Sequence, residues 1–410
     1  YKRQAADDTG VSHMRSTRHK RRQRFSVCFI CILMLWMLAG QMQVWAKEEN
    51  ESRTESLDEK ALQEILGQLD FQETNEQLKE LFPEERLDFK ETVTELISGD
   101  TKATASLLNR MVRDQVFYAF RSARKNLIQI ILLALIAAVL NQFSSVFQNR
   151  QIAEISFYAM YLLLLALCLN TFGAVMDWVS DGIENLTSFM GAFCPLYFLA
   201  VSIAKGSVTA SAFYQAVLFL IYLVEMIIGK IVLPSIHIYI MVKVLNFLSE
   251  EKYLNRLSEL LEIAISWILK TVLALVVGLN IVQGLISPAV DMVKRSTLTK
   301  SAEAIPGIGD AIGGVTEVVL GTAVLVKNGI GMTGAIICVS LCLIPIVEIG
   351  CIVLMYKLTA ALLEPVSNER VIGCIESVSE GGRLLIKVVF TVGLLFLVTI
   401  VIVSAVTGNV

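Results

Sequence analysis

Histidine is almost missing from this 410-residue chain: there are three, and two of them, His13 and His19, fall in the first twenty residues. The third, His237, has no cysteine or histidine at ligand spacing, which argues against a zinc site. The eight cysteines do not form a disulfide framework. Cys28 and Cys31 lie inside an apolar run, and Cys168, Cys194, Cys338, Cys342, Cys351 and Cys374 lie in or beside hydrophobic segments, where a thiol behaves as a small apolar side chain. Enzyme signatures are missing too. No H-E-x-x-H and no G-x-S-x-G occurs. Gly307-Ile308-Gly309 followed by Gly313 misses G-x-G-x-x-G by one residue, with no strand before it. Around Gly321 and Lys327 the second glycine of a Walker A loop and the Ser or Thr after the lysine are absent. There is no basic stripe of the kind that binds nucleic acid. The expectation is a chain without catalytic, cofactor or metal residues.

What is present is apolar surface. Hydrophobic residues make up 55% and the mean hydropathy is +0.63, above the 45–50% of soluble domains. The excess sits in blocks long enough to cross a bilayer, about 20 residues each. Charge is divided along the chain. Residues 47–100 hold seventeen acidic against six basic residues, while residues 1–46 hold eight Lys and Arg against Asp7 and Asp8.

From Met14 the sequence runs MRSTRHKRRQRF, then an apolar stretch, then QMQVWA. This is the layout of a secretory signal, and it predicts cleavage after Ala46 with residues 1–13 lying upstream. Residues 47–124 then read as an acidic, helical, extracytoplasmic region. Ser56 and Glu59 form a capping box ahead of Leu57, Ala61, Leu62, Ile65, Leu66 and Leu69 at helical spacing. Pro83 breaks the pattern, Phe89, Val93, Leu96 and Ile97 resume it, and Leu107 to Phe120 continue it toward the membrane.

Residues 125–410 read as a multi-pass membrane domain. The fold class is an all-α, polytopic bundle of about seven spans, near 127–147, 152–176, 186–204, 212–233, 268–287, 330–356 and 384–407. Asp177, Asp181 and Glu184 fall on a predicted outer loop, and an odd span count from an outside start puts the C-terminus in the cytoplasm. Residues 234–256 are apolar enough to be re-entrant or an eighth span. Segment 288–328 is too polar for a lipid-facing span and too apolar for an ordinary loop. The glycines in and around it stand at 284, 307, 309, 313, 314, 321, 329, 331 and 334. Irregular backbone at membrane depth is tolerated only against protein or a water-filled cavity, so this segment reads as a re-entrant or in-plane element. Gly309 and Gly313 make a G-x-x-x-G that allows close helix approach.

The candidate functional residues follow. Gly307, Gly309, Gly313 and Gly314 give close packing on this element, and Asp310 and Glu317 are its carboxylates. Glu225, with Lys230 five residues on, and Glu348, after Pro345, are ionisable groups inside spans, where charge is costly and functional by default. They either brace the bundle through lysines on neighbouring helices or mark an ion or solute path.

The run SPAVDMVKRSTLTKSAEAIPGIGDAIGGVTEVVLGTAVLVKNGIG, then a span with Pro345 and Glu348, then YKLTAALLEPV, resembles the stage III sporulation protein AE family of endospore-forming Firmicutes. The resemblance covers roughly 110–410. It implies a membrane subunit of the channel complex between mother cell and forespore, needed for late forespore development. That subunit would be made in the mother cell and sit in the membrane engulfing the forespore. It also implies partners: other membrane subunits of that complex and a separate ATPase subunit, since this chain carries no nucleotide site. The family offers no catalytic residue to transfer. The alternative from the residues is a self-contained ion-coupled secondary transporter, for which interrupted helices and intramembrane carboxylates are the expected signs; an intramembrane hydrolase comes third.

Overall fold

The computed structural model describes residues 55–82, 88–97, 128, 131–132, 150–204, 207–247, 253–302, 309–365 and 367–408. The predicted signal sequence, the helix predicted over 107–120 and nearly all of the span predicted over 127–147 lie outside these. Among the described residues every regular element is helical, as the patterning predicts.

Three short helices come first: α1 (Glu55–Gln68), α2 (Gln72–Leu81) and α3 (Phe89–Ile97). Helix α1 begins a residue before Ser56, so that serine does not open it. The start of α3 is fixed by Asp88, whose Oδ1 accepts the backbone N–H of Glu91 at 3.1 Å, the usual work of an N-cap carboxylate. Asn75 of α2 ties the two together, its Oδ1 accepting the Phe89 N–H at 2.7 Å. Of the apolar positions read from the sequence, Ile65 and Leu66 on α1, Leu69 just after it, and Phe89, Val93 and Leu96 on α3 are buried, while Leu62 and Ile97 are half-buried.

Long helices follow: α4 (Arg150–Ala204), α5 (Ser207–Leu223), a π-helical turn pair at Val224–Val232, α6 (Leu233–Asn246), α7 (Asn255–Ala302), α8 (Gly309–Leu363) and α9 (Glu369–Gly408). At 1.5 Å per residue α4 and α8 are each about 80 Å long, far more than the ~30 Å hydrocarbon core. Among the described residues five helical stretches are long and apolar enough to cross a membrane, within 158–204, 210–246, 255–286, 320–363 and 369–406.

The structure departs from the predicted span borders in two places. Spans 152–176 and 186–204 run together as α4, with no loop at Asp177, Asp181 and Glu184. These carboxylates fall at i, i+4 and i+7, all on one exposed face, where a helix carries charge without breaking. Residues 234–246 are the continuation of the 212–233 span through the π turns, not a separate crossing. The wider π turns precede Pro234, which lacks the N–H that an α-helical ladder needs there, and Ser235 Oγ donates to the Ile231 carbonyl at 2.6 Å.

Helices α8 and α9 form an antiparallel pair at the centre, against which α4 packs. Glycines set the approach. A Cβ on Gly393 would overlap the Cys342 thiol, and one on Gly382 the Val353 side chain. Gly334 and Gly331 of α8 lie against the rings of Phe193 and Tyr197 on α4, and Gly182 of α4 against Pro345. These contacts also fix direction: α4, α7 and α9 run one way, α5 and α8 the other. Because α4 is one helix, α9 ends at the face of the bundle where α4 ends.

Candidate functional site

Each long helix contains a stretch free of Asp, Glu, Lys and Arg: 185–204 on α4, 206–224 leading into and along α5, 271–290 on α7, 328–347 on α8, and 388–410 along α9 to the end of the chain. Twenty helical residues rise about 30 Å, one hydrocarbon thickness. The stretches lie side by side. Gly382 meets Val353 and Gly393 meets Cys342, so residue 388 is level with residue 347. Asn280 Nδ2 donates to Thr399 Oγ1 at 2.9 Å, and Gly284 faces Val406 and Phe213, which brings α7, α9 and α5 to the same level. On α4 the stretch is offset from that of α8 by a little over one turn.

One consequence is a belt of charge. The residues that bound these stretches on one side are Glu184 on α4, Glu225 on the π turns after α5, Lys270 on α7, Glu348 on α8 and Lys387 on α9. Glu225 and Glu348, read from sequence as lying within spans, therefore stand at one edge of the uncharged layer. Glu225 is exposed and Glu348 half-buried. Neither is within ion-pair distance of a cation among the described residues.

Beyond this edge the helices are cross-braced by charge. Lys243 at the end of α6 pairs with Glu380 of α9, and its ammonium also donates to Tyr239 Oη at 3.0 Å. Arg383 Nη2 of α9 lies 4.0 Å from Glu262 Oε1 of α7, and Lys357 Nζ of α8 lies 3.9 Å from Glu376 Oε1 of α9. Residue spacing within a helix does not reveal these pairs, since every one joins different helices; the cue was the unusual density of charge at the start of α9.

At the opposite edge Lys327 of α8 is wholly buried, with Thr322 and Thr333 buried on the same helix. Of the glycine-rich candidates, Gly307 lies outside the described residues. Gly309, Asp310, Gly313, Gly314 and Glu317 form the opening turns of α8, and residues 288–302 complete α7. Further along the same run, Gly329, Gly331 and Gly334 make close approaches. Gly329 receives Ile97 of α3.

That contact belongs to a larger one. The acidic helices α2 and α3 lie across α4 and α8 inside the uncharged layer, not beyond it. Thr74 Oγ1 donates to the Ala192 carbonyl at 3.2 Å. A file of rings runs from Phe71 to Phe89 (6.2 Å), Phe193 (6.0 Å) and Tyr197 (5.3 Å). On the outside of α2 and α3, Glu73, Glu76, Glu80, Asp88 and Glu91 are exposed.

The cysteines after Ala46 are free, and all but the half-buried Cys351 are buried in the core. Among the described residues no group of three or more His, Cys, Asp or Glu side chains is placed to hold a metal ion.

These features define a class: a polytopic, all-α membrane protein whose long helices carry one hydrocarbon-thick uncharged layer, with an acidic helical head docked on it. The chain matches the family model of stage III sporulation protein AE over residues 87–407. A relative, "Stage III sporulation protein AE" of Bacillus subtilis (strain 168), is 25% identical over 330 residues, 80% of this chain and 82% of the relative. No solved structure matches. The chain belongs to the stage III sporulation protein AE family and is a sporulation-related membrane protein.

Proposed function

We propose that the protein is a non-enzymatic integral membrane subunit of a channel or secretion-like complex linking mother cell and forespore, required for late forespore development. It sits in the mother-cell membrane that engulfs the forespore, with its N-terminal region extracytoplasmic after removal of the signal peptide. Its partners are other membrane subunits of that complex and a separate ATPase subunit.

One observation supports this reading above the rest: the docking of α2 and α3 on α4 and α8 at the depth of the uncharged layer. Charged helices at that depth are tolerated only against protein or water, never against lipid chains. The α4–α8 face is therefore a subunit contact or the wall of a water-filled space, and this reading takes it as a subunit contact. The opening turns of α8, with Gly309, Gly313, Asp310 and Glu317, are part of the same working region in this reading.

The rival is a self-contained ion-coupled transporter, and it draws on Glu225 and Glu348, which lack a described counter-ion. Capture of the tagged protein from membranes of sporulating cells, followed by identification of what comes with it, tests the proposal. The expected result is co-purification of membrane subunits and an ATPase, reduced when the head is undocked by Phe89→Ala. Recovery of the protein alone, together with solute uptake by the purified protein in liposomes, would favour the transporter.

A further inference from the structure

Where α7 and α9 enter the uncharged layer, positive charge is in excess. Lys270 precedes the stretch 271–290 and Lys387 precedes the stretch 388–410, and these stretches are level. Lys387 lies within electrostatic reach of Lys270, Arg383 and Glu262. Three cations thus share one carboxylate, Glu262, which is already drawn toward Arg383. The neighbouring cations differ: Lys243 is engaged by Glu380 and Lys357 by Glu376.

The surface beside this cluster is apolar and open. Leu260, Ile263 and Trp267 are 62%, 69% and 67% exposed, and with Lys270 they recur at the three- and four-residue spacing of one helix face. Below Lys270 the same face continues through Ile281 and Leu285, with Leu275, Leu279 and Val282 exposed beside it. Tryptophan and cationic side chains at the border of an apolar belt are what the headgroup level of a bilayer selects, and basic pockets between spanning helices take anionic lipid headgroups. Helix α7 packs chiefly against α5, α6 and α9, away from the face that the acidic head covers.

The geometry points to a binding site for an anionic phospholipid at the α7–α9 seam, with Lys270, Lys387 and Arg383 taking the phosphate, Trp267 standing at the headgroup level and Ile281 and Leu285, deeper on the Lys270 face, lying along the acyl chains. Glu262 orients Arg383 and keeps the site from closing on itself. The site is separate from the reading of the protein as a complex subunit and stands or falls without it.

The test uses the full chain, purified in detergent and stripped of lipid, with native mass spectrometry as the readout. Phosphatidylglycerol, phosphatidylcholine and inorganic phosphate are added in separate arms. The wild type should bind phosphatidylglycerol about tenfold or more tighter than phosphatidylcholine, a margin of the size that two surface cations supply. Lys270→Gln combined with Lys387→Gln should remove that preference, and Lys90→Gln, an exposed cation on α3, should leave it intact. Glu262→Gln should strengthen phosphatidylglycerol binding, which guards against reading a misfolded variant as a lost site. Equal binding of the two lipids, an unchanged preference in the double variant, or displacement of the lipid by millimolar inorganic phosphate would each overturn the proposal, the last by showing a site for the free anion.

Discussion

Thr74 and Ala192 are 118 residues apart in sequence, yet the threonine hydroxyl donates to the alanine carbonyl at 3.2 Å. Ala192 is in the middle of a membrane-spanning stretch, and Thr74 is on a helix whose outer face carries Glu73, Glu76 and Glu80. Pro195 lacks the N–H that the carbonyl of Gly191, next to Ala192, would accept in an α-helix.

The head's attachment rests more on Phe89 than on Thr74. Phe89 is fully buried and sits between Phe71 and Phe193, and deleting a buried ring costs about 3–5 kcal/mol. Thr74→Val should remove only a hydrogen bond, about 1 kcal/mol. Limited proteolysis of purified protein should show residues 58–97 cut much faster in Phe89→Ala, slightly faster in Thr74→Val, with the spanning helices intact in both.

Two glycines of the central pair make opposite predictions. A Cβ on Gly393 meets the Cys342 thiol, whereas nothing stands within 4 Å of one on Gly350. Gly393→Ala should destabilise by about 1–3 kcal/mol through overpacking. Gly350→Ala should stabilise by up to about 1 kcal/mol, because alanine is the better helix former. Thermal unfolding in detergent and membrane abundance check both signs.

The Lys243–Glu380 pair joins α6 to α9 and is only partly exposed, 20% and 26% at the side chains. Lys243→Glu alone should lower the unfolding temperature and leave two carboxylates facing each other. Adding Glu380→Lys should restore most of the loss, as expected when the interaction is a direct ion pair. Absence of rescue would mean that the lysine's contact with Tyr239 carries the effect instead.

Fold class was legible in the sequence because hydrophobic blocks and helical spacing are local signals. The head's buried residues, Leu66, Leu69, Phe89 and Val93, were legible for the same reason. The unbroken α4 was missed because Asp177, Asp181 and Glu184 look like a loop until their shared face is seen. Glu225 and Glu348 fall within the stretches 210–246 and 320–363. That they stand level with each other at one edge of the uncharged layer was not legible, since an apolar run by itself does not say how helices align, and the contacts of Gly382, Gly393 and Gly284 with neighbouring helices do. Gly329, Gly331 and Gly334, in the glycine-rich run that drew attention by motif, make close approaches.

Glu225 and Glu348 separate the complex subunit from the transporter. If they serve only as part of the edge belt, Gln should substitute with mild loss, since the amide keeps shape and hydrogen bonding and the helices hold together without the charge. Spore yield at equal membrane abundance for Glu225→Gln and Glu348→Gln should stay near that of wild type. A steep fall in yield at normal abundance would place the two carboxylates in a transport path.

The most direct measurement concerns the docked head, on which the reading of the α4–α8 face depends. Thr74→Cys and Ala192→Cys, introduced together and oxidised in membranes of sporulating cells, should form an intramolecular cross-link that neither single variant forms. Spore yield should remain near that of wild type, because the cross-link holds a contact the working protein already makes. No cross-link, or a cross-link that abolishes sporulation, would contradict the account: the first would mean the head is not docked at that depth, the second that it must leave to work.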